Sequence, residues 1–327
     1  MASTVAQPRA EAANRLGMSR QHMIYFGILI AVLVVSPFFF YPLFVMKTLC
    51  FALLACSLNL LLGYGGLLSF GHAAYFGAAS YITAWSARDL GLTPELAILC
   101  GIGASVLLAV VFGSLAIRRQ GIYFAMITLA FAQLVYFASL RAPFTGGEDG
   151  IQGVPRGELF SLIPLASERT MYWFVAIVFM LALFLMYRIV HSPFGQVMKS
   201  IRENEPRAIS LGYHVNRYKL RLFILSAAFA GLAGGIKSLV FSVATLNDVY
   251  WEMSGEAVLM TLLGGAGTFF GPILGAAVIV TLQNQLAPYG AWITIIQGTL
   301  FVLCVMLLRG GLVELFGRIA GLVRRSN

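Results

Sequence analysis

Of 327 residues, 59% are hydrophobic and only 11% charged, with a mean hydropathy of +0.86. Too few polar side chains exist to cover a globule of this size in water, which excludes a soluble domain and points to an integral membrane protein. The net charge of +9 needs no nucleic acid to explain it if the cations lie on one side of a bilayer, so no nucleic-acid partner is expected.

Several apolar runs approach the roughly 20 residues that carry a helix across the hydrocarbon core. Alternating barrel patterning is absent, so helices must satisfy the backbone in lipid. The fold class read from this pattern is all-α, a polytopic membrane helix bundle of about ten segments with both termini cytoplasmic. Residues 1–22 read as an Ala-, Arg- and Ser-rich tail, 23–309 as the membrane domain and 310–327 as a second tail. The first segment, Met23 to Phe44, is too long for a signal-peptide core, lacks a small-x-small cleavage site, and is expected to bend or end near Pro37 and Pro42.

The second segment runs from Thr48 to Leu62. The third follows the turn Gly63-Tyr-Gly-Gly66 and covers Leu67 to Ala87. Glu95 to Ile117 and Ile122 to Leu140 make the fourth and fifth. A long loop of Gly, Pro and charge leads to the sixth, Tyr172 to Val190, and Leu220 to Val243 is the seventh. Two more lie between Ser254 and Leu286, split at Gly264-Gly-Ala-Gly267, the first of them short enough to be tilted or re-entrant. The tenth is Trp292 to Leu308. With the N-terminus inside, sixteen Lys and Arg fall on the inner side and five on the outer, as the positive-inside rule requires.

Between the sixth and seventh segments lies the longest strongly charged run, Ser192 to Lys219. It carries the signals of one short helix: Asn204 or Glu205 as cap, Pro206 in the first turn, Gly212 as left-handed stop. Its apolar side, Ala208, Ile209 and Leu211, is too small for a core and matches a groove on a partner; a solvated connecting loop is the other reading.

Intramembrane polar residues are few: Asn59, Ser69, His72, Thr128, Gln133, Lys237 and Gln283. Asp and Glu are nearly absent from the spans, which argues against an ion-coupled relay. In Gly71-His-Ala-Ala-Tyr-Phe-Gly77 the glycines allow close helix contact or a helix break. His72, Tyr75 and Phe76 could line a pathway with Ser69, Gly71 and Gln133, or His72 could bond a neighbouring helix in a packed crossing. Gly231-x-x-x-Gly235 reads as a packing face, and Lys237 is expected to snorkel outward. The cysteines 50, 56, 100 and 304 have no ligand spacing and read as small buried residues, with no metal site. Gly65-Gly-x-x-Ser-Phe-Gly71 is echoed by Gly264-Gly-x-x-Thr-Phe-Phe-Gly271, either a duplicated half or a chance match. No His-Glu-x-x-His, Gly-x-Ser-x-Gly, Cys-x-x-Cys or Gly-Lys pair occurs, so no enzyme is indicated and this chain holds no phosphate loop of its own.

Four strings together resemble the permease subunit of the branched-chain amino acid ABC importers of the LivM type. They begin at Gly65 (Gly65-Gly-Leu-Leu-Ser-Phe-Gly-His), Arg119 (Arg119-Gln-Gly-Ile-Tyr-Phe), Phe144 (Phe144-Thr-Gly-Gly-Glu-Asp-Gly) and Phe194 (Phe194-Gly through Lys219). The resemblance implies a multi-pass protein of the bacterial inner membrane, with a homologous second permease subunit, two cytoplasmic ATPase subunits and a periplasmic substrate-binding protein as partners. ATP and Mg would be held by the ATPase subunits, with no cofactor in this chain. It also implies that Glu203, Glu205, Pro206, Arg207, Ala208 and Gly212 form the ATPase-coupling site, although the family's leading Glu is displaced here by one residue, to Glu205. Substrates in such a family extend to urea and other small amides or acids; a secondary transporter and a passive channel are the rival classes.

Overall fold

A computed structural model describes residues 20–159 and 162–290, with isolated positions beyond. The predicted tenth segment, Cys304, the predicted C-terminal tail and residues 1–19 of the predicted N-terminal tail lie, apart from such positions, outside the described residues; residues 20–22 of that tail belong to the first helix.

Eleven α-helices follow one another among the described residues: α1 Arg20–Phe39, α2 Pro42–Asn59, α3 His72–Arg88, α4 Pro94–Ala116, α5 Ile122–Arg141, α6 Glu168–His191, α7 Pro193–Glu203, α8 Glu205–Ser210, α9 Val215–Phe241, α10 Trp251–Gly264 and α11 Gly271–Leu286. Six are long and apolar enough to cross a membrane: α1, α2 with its π-helical extension Leu60–Tyr64, α4, α5, α6 and α9. The other three helices expected in the membrane, α3, α10 and α11, have 17, 14 and 16 residues, short of the usual span, and each abuts a glycine break.

Boundaries differ from expectation in three places. The first segment stops at Phe39, because Pro42 opens α2 and the residue before a proline avoids the helical region; Phe44 therefore belongs to α2. The third is helical only from His72, the preceding Leu67–Gly71 being non-helical backbone. The charged run holds two helices, since α7 precedes the expected short one.

The centre is built by α2 and α9, the most enclosed of the long helices, with α3 between α9 and α10. Small residues on α9 set these distances. A side chain at Gly231 would strike Ser105, and one at Gly234 would strike the Phe76 carbonyl, so the Gly231–Gly235 face is where α3 and α4 close on α9. Cys50 and Cys56 are buried, but Cys100 is exposed on the outward side of α4, contrary to the reading that placed all four inside.

Connections collect on two opposite faces. On one, Gln120 Nε2 donates to Glu205 Oε1 (3.0 Å), Arg202 Nη1 donates to the Gly63 carbonyl, and Asn59 clamps the 264–270 turn, donating to the Thr268 carbonyl (2.8 Å) and accepting from Gly267 N–H (2.9 Å). On the other, Tyr41 donates to Glu168 (3.1 Å), Arg156 donates to the Val240 carbonyl (3.0 Å), and strand β1 (Ile151–Gln152) pairs antiparallel with Val243–Ala244, Ile151 opposite Ala244. Successive membrane helices thus alternate in direction. The echoed glycine strings hold matching positions, one joining α2 to α3 and the other α10 to α11, and the Asn59 clamp ties the two breaks together.

Candidate functional site

The charged run is built by its caps. Ser192 Oγ accepts from Gly195 N–H (3.3 Å) and Pro193 opens α7, whose Gly195, Met198 and Ile201 face the bundle. Asn204, extended at φ −154, ends α7; its Oδ1 accepts from Arg207 N–H (3.0 Å) and so caps α8. At the far end Gly212 takes φ +86. Its N–H bonds to the Ile209 carbonyl (2.9 Å), and Tyr213 N–H to the Ala208 carbonyl (3.2 Å), the paired bonds of a Schellman stop. Replacing Asn204 with Ala is expected to cost about 1 kcal/mol locally, seen as faster amide exchange confined to α8.

The six residues expected at the coupling site divide into two sets. Glu205 and Ala208 turn toward the bundle: Glu205 Oε2 pairs with the buried Lys219 Nζ on α9 at 2.7 Å while its Oε1 meets Gln120, and Ala208 is buried. Glu203, Pro206, Arg207 and Gly212 are exposed. Ile209 and Leu211 beside them are 58% and 69% exposed. The expected apolar side is therefore split, Ala208 seating the helix and the two larger side chains pointing outward. This surface is rigidly mounted, apolar at its centre and flanked by charge.

Five of the six residues read as pathway candidates share one buried core. Ser69 Oγ accepts from Gly71 N–H (3.1 Å), and Thr128 Oγ1 accepts from Phe70 N–H (3.1 Å). His72 Nε2 bonds Ser226 Oγ (2.8 Å), which itself donates to the Ser57 carbonyl (2.6 Å). Ser254 Oγ takes the Ala73 N–H (2.8 Å), and Ser105 donates to the Tyr75 carbonyl (2.7 Å). Tyr75 packs edge-on against Phe223, and Phe76 stacks on Phe51. Ser69, Gly71, His72, Tyr75 and Phe76 thus form one junction where α3 meets α2, α4, α5, α9 and α10. Gln133 stands apart, half-buried on α5.

Two polar contacts escaped sequence reasoning. Lys237 does not snorkel: it is buried and pairs with buried Asp248 at 2.7 Å, whose carboxylate also accepts from Thr245 N–H (3.1 Å) and Oγ1 (3.2 Å). The signal available was the capping pattern Thr245-x-x-Asp248 directly after the helix. Glu256 on α10 accepts from Gln283 on α11 at 3.0 Å, a pairing that spacing alone does not reveal. Among the described residues, no group of three or more His, Cys, Asp or Glu is placed to hold a metal.

The family described as the branched-chain amino acid transport system / permease component matches residues 43–308. The high-affinity branched-chain amino acid transport system permease protein LivM of Salmonella typhimurium is 27% identical over 286 residues, covering 79% of this chain and 66% of that protein. Its Escherichia coli counterpart is 26% identical over the same coverage, so the chain spans just under two thirds of the length of these relatives. The ribose import permease protein RbsC of Bacillus subtilis is 28% identical over 141 residues, 40% of this chain and 44% of that protein. No solved structure matches. With most of its length matched, this chain belongs to the branched-chain amino acid transport system permease family.

Proposed function

We propose that this chain is the permease subunit of an ATP-driven importer that carries branched-chain or other hydrophobic amino acids inward across the bacterial inner membrane. One observation carries the reading: α8 is a capped two-turn helix, pinned to the bundle by Glu205 and Ala208, that presents Arg207, Ile209 and Leu211 to a partner. Its size suits a groove on an ATPase subunit. ATP and Mg belong to two such subunits, a homologous second permease completes the membrane part, and a periplasmic binding protein delivers substrate. The face bearing α8 is cytoplasmic, ten segments cross the bilayer, and both termini lie inside, in keeping with the concentration of Lys and Arg on that side.

Alternating access follows from this mounting. ATP-driven closure of the ATPase pair displaces α8, and the rigid α7 and α9 pass the motion to the bundle. The glycine break at 65–71, with Ser69, Gly71, His72, Tyr75 and Phe76 at its end, is the part of the pathway proposed to open. Amino acids rather than sugars are favoured because the similarity to LivM covers twice as much of the chain as that to RbsC.

A cysteine placed by Ser210→Cys tests the orientation. Impermeant maleimide is expected to label it in inverted membrane vesicles and not in intact cells; labelling of intact cells would overturn the assignment of faces.

A further inference from the structure

A cleft of about 1280 Å3 runs between α1, α2 and α11, with α7 and the 267–271 turn at one end. On α1 its lining extends from His22 to Ser36, a rise of about 21 Å against a hydrocarbon core of roughly 30 Å. α1 is anchored to α6 at two levels: Phe26 meets Tyr187 edge-on and His22 bonds the Tyr187 hydroxyl (3.0 Å), and farther along Ser36 bonds Tyr172 (2.8 Å). His22 and Ser36 also line the cleft, which is the space that α1 leaves over α2 and α11 between these contacts. Tyr25, Ile28 and Val32, which line it, are each more than half exposed, so it opens sideways.

Its two ends differ in chemistry. Along the shaft the walls are apolar, with Ile28, Val32, Leu49, Ile273 and Leu274 prominent. At the α7 end stand Lys199, Arg202, His22 and His191, with Glu203 as the one acid among the lining residues. Arg202 is held there by its bond to the Gly63 carbonyl, and Lys199 lies 5.6 Å from the centre of the Tyr64 ring. Water in such a shaft would rest on apolar surface, whereas an acyl chain would fill it. Net positive charge at the membrane-surface end selects an anionic head over a zwitterionic one.

We propose that this cleft binds one anionic phospholipid, with its phosphate at Lys199 and Arg202 and an acyl chain along Val32, Leu49 and Leu274. Assignment to the inner leaflet rests on the orientation proposed above; the site itself does not. The headgroup would bear on α7, which runs through Asn204 directly into α8, so the lipid would stiffen the base on which the coupling helix stands.

The test is native mass spectrometry of the full-length chain in mild detergent, with phosphatidylglycerol or phosphatidylcholine of identical acyl chains. Retention of phosphatidylglycerol is expected to exceed that of phosphatidylcholine about tenfold or more, and Lys199→Glu to lower it at least fivefold, from the contribution of each surface cation. Leu274→Trp, and independently Val32→Trp, should abolish retention of both lipids by filling the shaft. Equal retention of the two lipids overturns the proposal, as does undiminished phosphatidylglycerol in both folded tryptophan variants. Displacement by millimolar inorganic phosphate would make it an anion site without a lipid, and displacement by leucine would make it a substrate route; either result also overturns it. None of these readouts depends on uptake or on ATPase partners, so the importer reading stands or falls separately.

Discussion

Replacing Lys237 with alanine is expected to destabilise the fold by about 3–5 kcal/mol, measured as a lower midpoint of detergent or thermal unfolding. Lys237 and Asp248 are both buried, 2.7 Å apart, and join the end of α9 to the Leu246–Asp248 turn. Removing the ammonium leaves a carboxylate with only the Thr245 N–H and hydroxyl as donors, far from what water would offer it. Asp248→Ala should be as damaging, since it strands the cation instead. The double substitution Lys237→Met with Asp248→Leu removes both charges and is expected to recover most of the loss, because paired burial offers little net stability over apolar packing. A wild-type midpoint in Lys237→Ala would show that the pair holds nothing together.

That pair also marks where sequence reading ends. Composition alone required a helical membrane bundle, and apolar windows located the six helices long and apolar enough to cross it, because a span must be both long and unbroken by charge. Cap chemistry was equally legible. Asn204, Pro206 and Gly212 fix the two ends of α8 through local hydrogen bonds and a positive φ, which depend on a few adjacent residues. The α7 helix was hidden because Pro193, Gly195 and three charged residues look like loop, while only Met198 and Ile201 reach the core. Leu67–Gly71 is apolar yet not helical, since hydropathy records burial and not backbone direction. The partners of Lys237, Glu205 and Glu256 lie 11, 14 and 27 residues away across turns; charge complementarity can name candidates at such separations but cannot choose among them. The His72 junction was legible as a glycine-framed intramembrane string, and its packing against five neighbouring helices emerged only from the fold.

Asp at Ile209 and Leu211, introduced singly, is expected to weaken copurification of the ATPase subunits about 30-fold or more each, the scale of removing an interface anchor of about 2 kcal/mol. Both side chains point away from the bundle, so the permease should insert to wild-type levels. Arg207→Glu reverses an exposed charge one turn away and should act with them, lowering uptake while leaving Glu205 on Lys219. Gly212→Val separates contact from geometry. Nothing lies within 4 Å of the position a Cβ would take, but φ is +86, a conformation that costs a β-branched residue about 1–2 kcal/mol. The exit of α8 should then distort with no atom removed from the contact surface, so that ATPase subunits still copurify while hydrolysis no longer drives uptake. Selective loss of copurification in the aspartates, against selective loss of coupling in Gly212→Val, is the pattern a docked and mechanically mounted helix requires. Unchanged uptake in all four variants would remove α8 from the mechanism.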